Sequence, residues 1–252
     1  MFVLLHGAIK NVGDFLIFER AKALLRKYAS ADDFLEIPRW KSLEPYLNRI
    51  NKANAIVLCG GPAYASNFYP GIYPLVDDLS RIKPPIFPLG LGWSGKSGNS
   101  FTFTDKSLEA IKLIHGQIER SSVRDNLTQK MLHDHGISNV KMTGCPAWYH
   151  LPSIEATFDP PSQIQEIALS TPARPINFLY ARRLIDWVKR RYPQAQCHLV
   201  FHRGIWYDRN TPKKDALLNP PLAAYGALRG MNIVNASYST DHIKFYKNID
   251  LH

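Results

Sequence analysis

The strongest constraint on this chain is a repeated pattern in its first 150 residues. Short, unbroken apolar runs end in glycine or a charged pair, and segments of helical period follow them. Phe2-Val3-Leu4-Leu5 precedes His6-Gly7-Ala8-Ile9-Lys10-Asn11-Val12-Gly13-Asp14. Ala55-Ile56-Val57-Leu58 runs into Cys59-Gly60-Gly61-Pro62, and Ile86-Phe87-Pro88-Leu89 into Gly90-Leu91-Gly92-Trp93-Ser94-Gly95. Ser122-Val123 gives way to Arg124-Asp125, and Val140-Lys141-Met142 to Gly144-Cys145-Pro146. Apolar runs of this length without alternation suit strands buried on both faces, the condition of a parallel sheet. Between them, residues 14–28 place Phe15, Phe18, Ala21, Leu24 and Leu25 on one helical face. Helical patterns also cover residues 43–51, 75–81, 107–115 and 125–135, with a short strand at 34–37. The alternation predicts an α/β fold, a parallel sheet with helices on both faces.

The composition changes after His150. Leu151 opens the Pro-rich, polar stretch LPSIEATFDPPSQ, which reads as a linker between a domain of residues 1–152 and a second of residues 153–252. The strand–helix pattern then restarts with a strand at 166–169, a helix at 177–191 and a strand at 197–201. A long polar loop over 204–221 follows, then a helix at 222–228, a strand at 232–235 and a helix at 240–246. The last residues, Ile249-Asp250-Leu251-His252, read as a strand just beginning. Three or four strands are few for a parallel sheet, so the second domain is expected to be cut short. An incomplete sheet edge in turn predicts a homo-oligomer or an unstable chain.

Charge and composition narrow the function classes. The apolar runs are too short to span a bilayer, so no transmembrane segment is expected. The N-terminal MFVLLHGAIKN lacks a basic leader and a small-residue cleavage site, and reads as a core strand rather than a signal peptide. Cys59, Cys145 and Cys197 form an odd, scattered trio with no CxxC, so neither a disulfide framework nor a zinc cluster is indicated and a reducing, cytoplasmic setting is expected. His133 and His135 have no acidic or cysteine partner at metal spacing, so no metal site is expected and no cofactor is assigned. Residues 1–173 carry 18 basic and 16 acidic side chains, a net +2, whereas residues 174–252 carry 13 and 5, a net +8. A basic second half fits an anionic ligand or an acidic membrane surface. Nucleic acid is not expected, because the cations are dispersed and no known binding motif is present.

Candidate site residues fall at the strand ends, where open α/β sheets bind their ligands. In the first loop Gly13 permits a tight turn, Asp14 can cap the helix, and Asn11 stands beside them. The loop is neither GxGxxG nor GxxxxGK[ST]. Gly60 and Gly61, with Tyr64 just after, and Gly90 and Gly92 allow a ligand or another backbone to come close. Arg124 and Asp125 either face that crevice or cap the next helix and pair with each other. In the second half, Ser170, Thr171 and Arg174 follow one strand, and His202 and Arg203 the next. Arginine suits a carboxylate or phosphate through its planar fork.

Together these motifs resemble the polysaccharide pyruvyl transferase family. The matching pieces are Asn11-Val12-Gly13-Asp14, Gly60-Gly61-Pro62, Leu89-Gly90-Leu91-Gly92, Ser122-Val123-Arg124-Asp125 and Gly144-Cys145-Pro146-Ala147. Pro62 stands where the family has a third glycine, and Cys145 where it has aspartate. The resemblance implies two Rossmann-like domains in a glycosyltransferase-B-like arrangement, the second incomplete. It implies transfer of the enolpyruvyl group of phosphoenolpyruvate to a sugar of an exopolysaccharide or cell-wall glycan, free or lipid-linked. Donor binding falls to Arg174, His202 and Arg203. The acceptor side or cleft takes Asn11, Gly13, Asp14, Gly60, Gly61, Tyr64, Gly90, Gly92, Arg124 and Asp125. The family's Arg-x-His segment would begin about where the chain stops, so part of the catalytic apparatus is expected to be missing. A nucleotide-sugar glycosyltransferase of similar fold and an inactive truncated homologue remain the alternatives.

Overall fold

The computed structural model describes residues 1–94, 101–157, 159–172, 177–206, 208, 210 and 213–241. They divide into two compact units: Met1–Gly7 with Leu16–Glu155, and Ala8–Phe15 with Ala156–His252.

The first unit is built on a six-stranded sheet in the order β2-β1-β3-β4-β5-β6, every pair parallel. Its strands are β1 (Phe2–His6), β2 (Phe34–Pro38), β3 (Ala55–Tyr64), β4 (Ile86–Trp93), β5 (Ser121–Val123) and β6 (Val140–Met142). Val3, Leu4 and Leu5 are all but inaccessible, as two-sided burial requires. Val3 and Leu5 join Ile56, Leu58 and Val123 in the main core beneath Ala110, Ile111 and Ile114 of α3 (Asp105–Gly116) and Met131 and Leu132 of α4 (Asn126–Asp134). The alternate residues of β1 meet α1 (Val12–Ala29), where Phe18 stacks on His6 at 4.3 Å between ring centroids. Helices therefore cover both faces. A short helix α2 (Leu47–Ile50) lies before β3.

The second unit holds a three-stranded parallel sheet, β7 (Glu166–Ser170), β8 (Gln196–Phe201) and β9 (Asn232–Asn235), in that order. Ile185 and Val188 of α5 (Phe178–Arg191) and Leu222 of α6 (Lys213–Leu228) pack with Ile167, Leu199 and Phe201. On a separate small cluster Val12, at the start of α1, packs with Ala168, Val200 and Ala236.

Several elements depart from expectation. Strands β3 and β4 do not stop at their glycines but run through them to Tyr64 and Trp93, with an irregular register between Pro62 and Tyr64. Residues 75–81 form no α-helix, only a 3₁₀ turn at Leu79–Arg81, because buried Leu75 and Val76 tie the chain to the core and Leu75 has φ +48°. The long polar loop is shorter than expected, since α6 begins at Lys213 and continues through Pro220 and Pro221. Most of the expected helix at 240–246, the terminal strand and Arg174 lie outside the described residues. Among the described residues no helix is long and apolar enough to cross a membrane.

Candidate functional site

At the strand ends of the first unit, the glycines make room for the chain itself. A Cβ at Gly90 would stand 2.5 Å from Pro146 Cδ and 2.8 Å from the Gly144 carbonyl, and one at Gly60 2.5 Å from Ile17 Cγ2 and 3.1 Å from Pro146. Both residues have positive φ, +63° and +59°. The Gly144–Ala147 loop thus lies directly on the two strands, with Pro146 over both glycines. Gly92 has the same relation to Arg124, whose Nε would lie 2.0 Å from an added Cβ. Gly61, at φ +80°, lies open toward Arg39, whose Nη1 donates to Pro62 O at 3.0 Å.

Arg124 and Asp125 cap the next helix and pair with each other. Asp125 Oδ1 accepts from Thr128 N at 2.7 Å and caps α4, while Arg124 Nε meets Asp125 Oδ2 at 3.4 Å. Thr128 Oγ1 in turn accepts from Trp93 N at 3.0 Å, tying α4 to the end of β4. Asp125→Ala is expected to cost about 1 kcal/mol, the usual loss of a side-chain cap, measured by denaturant unfolding.

Tyr64 does not reach a surface crevice. It is fully buried and its hydroxyl meets His115 Nε2 at 3.0 Å, while His115 Nδ1 meets Ser121 Oγ at 2.9 Å. Burial pulls the His115 imidazole down to about 4 and pushes the Tyr64 phenol up. At the end of α4, His133 is exposed and His135 donates from Nδ1 to Met131 O at 2.8 Å.

The second unit contains an open polar cavity of about 340 Å³ beyond the carboxyl ends of β8 and β9. Lys10, Trp206, Asp208, Asn235, Ser237 and Tyr238 line it with Gly204 and Ile205. Lys10 is only 5 % exposed. Its Nζ lies 2.6 Å from Asp208 Oδ2, which also accepts from the Tyr238 hydroxyl at 2.7 Å. A desolvated ammonium is costly unless a carboxylate compensates it, and Asp208 does so while staying partly open to solvent. The backbone holds the lysine in place: Tyr238 N donates to Lys10 O at 2.8 Å, and Asn11 bridges Ser237. Gly204, at φ +81°, brings the chain against Lys10, Asn235 and Ser237.

The first loop belongs to this site. Asn11 caps α1, its Oδ1 accepting from Gly13 N at 3.1 Å, so Asp14 sits in the first turn instead of at the cap. Val12 N donates to His202 O at 3.0 Å. His202 and Arg203 therefore follow the strand that carries the cavity, with His202 Nε2 3.2 Å from Ser170 Oγ, but neither lines it. The structure thus groups Asn11, Gly13 and Asp14 with His202 and Arg203 in one unit, and the glycines with Arg124 and Asp125 in the other. Lys10, Asp208 and Tyr238 were not expected. Lys10 and Asp208 are 198 residues apart, and no local pattern joins them. The signal open to reading was a lone lysine in the loop directly after a buried strand. Among the described residues no group of three His, Cys, Asp or Glu side chains could hold a metal ion.

A parallel α/β sheet whose Gly-Gly, Gly-x-Gly, Arg-Asp and Gly-Cys-Pro-Ala segments meet at its strand ends is the setting in which the comparisons with known proteins fall. The polysaccharide pyruvyl transferase family model matches residues 11–225, and the chain belongs to that family. No curated protein matches it. Among solved structures it is similar to UDP-N-acetylglucosamine 2-epimerase from Rickettsia bellii, with 14 % identity and a TM-score of 0.44 over 99 % of this chain and 72 % of the other.

Proposed function

We propose that the protein transfers the enolpyruvyl group of phosphoenolpyruvate to two hydroxyls of one sugar in an exopolysaccharide or cell-wall glycan. The observation that carries this reading is the buried Lys10 ammonium on a polar cavity inside a chain of the pyruvyl transferase family. The reaction protonates C3 of the donor and adds two hydroxyl oxygens to C2. The C2–O bond to phosphate breaks, one hydroxyl proton is taken up by the new methyl group, and the other leaves with phosphate. Such chemistry needs a cation against the donor's phosphate or carboxylate as charge moves to the leaving group. Lys10 is that cation in this reading, with Asp208 and Tyr238 holding its Nζ in place. Arg203, and Arg174 from the sequence, are the further donor-binding candidates. The reading gives both units a Rossmann-like character.

The test is release of inorganic phosphate from phosphoenolpyruvate in the presence of a saccharide with suitably placed free hydroxyls. Lys10→Met is expected to raise the KM for phosphoenolpyruvate about tenfold, the order of one lost charge-assisted contact. Turnover of a nucleotide sugar without phosphoenolpyruvate would refute the assignment, as would a KM unchanged in Lys10→Met.

A further inference from the structure

Helix α5 carries a feature that transfer chemistry does not use. Its inner face is fixed by Ile185 and Val188, both buried in the core of the second unit. About 100° round the helix from that face, spacings of four and three residues put Tyr180, Leu184 and Trp187 in one stripe. They are 66 %, 46 % and 49 % exposed. Arg183 and Arg190 run along one flank and Arg191 falls within the stripe, all three exposed. The one acidic residue of the helix, Asp186, is taken by the Tyr225 hydroxyl at 2.7 Å and by Arg229 at 2.6 Å. Arg182 is drawn to the Tyr225 ring, 4.5 Å from its centroid. The solvent side keeps Tyr180, Leu184 and Trp187, exposed Leu179 beyond the arginine flank, and three arginines. Trp187 meets the Tyr192 ring edge-on at 6.2 Å and Arg191 lies 5.2 Å from the same ring.

We propose that this face of α5 seats the protein on an anionic membrane surface. A helix bearing aromatic and aliphatic side chains among arginines lies in the plane of the lipid headgroups, its apolar stripe at the acyl boundary. Tryptophan and tyrosine suit that boundary because one end of each ring is apolar and the other polar. Arginine covers apolar surface with its stem while its guanidinium stays with the phosphates. The arginines also decide against the other occupant of such a face. Two copies stacked on it would bring Arg183, Arg190 and Arg191 against their own kind, and like charges across an interface repel.

The experiment uses the full chain with vesicles of phosphatidylcholine alone or with 30 % phosphatidylglycerol, read by co-sedimentation and tryptophan emission. Binding is expected to be at least tenfold stronger to the anionic vesicles, with a blue shift that Trp187→Phe reduces. Arg183→Gln with Arg190→Gln should weaken it about 25-fold, the product of two surface arginines near an anionic leaflet. Leu184→Ala with Trp187→Ala should weaken it at least tenfold. All four side chains are exposed, so the fold is kept, which circular dichroism checks. Equal binding to both vesicle types, or binding indifferent to the arginine pair, overturns the proposal. So does a lipid-free dimer that the Leu184→Ala, Trp187→Ala variant converts to monomer.

Discussion

Gly90→Ala is expected to destabilise the first unit by about 2–4 kcal/mol. Two costs add. The left-handed backbone at φ +63° costs a residue with a Cβ roughly 1 kcal/mol. The Cβ would then stand 2.5 Å from Pro146 Cδ and 2.8 Å from the Gly144 carbonyl. A proline ring and a backbone oxygen cannot swing aside as the end of a long side chain can, and overpacking of this kind costs about 1–3 kcal/mol. Gly136 separates the two costs, for it has φ +80° and nothing within 4 Å of an added Cβ. Gly136→Ala should lose only about 1 kcal/mol. Denaturant unfolding of both variants measures the difference, and equal losses would mean that Pro146 does not rest on Gly90.

The second large effect is a loss of stability in acid. His115 has its pKa lowered to about 4 by burial, against an ordinary 6.5 in the unfolded chain. Between these values the unfolded state binds the proton and the folded state does not, so folding stability rises with pH across the window. The contribution is fully present above about pH 6.5 and is lost as pH falls toward 4, amounting to about 3 kcal/mol. His6 is lowered too, mainly by burial, and adds in the same direction. His115→Gln isolates the effect of the deeper histidine: the drop between pH 7.5 and pH 4 should shrink by about 3 kcal/mol relative to the unaltered chain. An identical pH slope in both proteins would mean that the ring takes up its proton at the same pH in the folded and the unfolded chain, and that its pocket between Tyr64 and Ser121 does not disfavour the charge.

The elements read correctly from sequence were those whose causes are local. β1 declared itself by four consecutive apolar residues, and α4 by Asp125 ahead of an apolar stripe, and both formed as read. The alternative reading of Arg124 and Asp125, a cap and a mutual pair, is the arrangement found. What remained hidden depends on partners distant in the chain. The glycines announced a close approach, but not that the approaching atoms are Pro146, 56 positions after Gly90, and Arg124. Tyr64 looked like a loop residue because its strand was expected to end earlier, and its partner His115 is 51 residues on. At α6, two consecutive prolines read as a loop, yet the helix runs through them with Leu222 docked in the core. The cavity lysine was invisible because its compensating carboxylate lies in another part of the chain.

Residues Ala8–Phe15 group with the second unit, although the strand just before them, β1, is a central strand of the first. The second unit is thus discontinuous in sequence, and its cavity lysine is encoded some 150 residues ahead of the rest of it. No single cut in the chain separates two whole modules. A piece starting at Ala156 would carry β7 to β9 and Asp208 but neither Lys10 nor the Val12 that covers Ala168 and Val200. Exchange of this unit between proteins, in the laboratory or in evolution, therefore requires the eight-residue segment Ala8–Phe15, a loop and the first turn of α1, to travel with it.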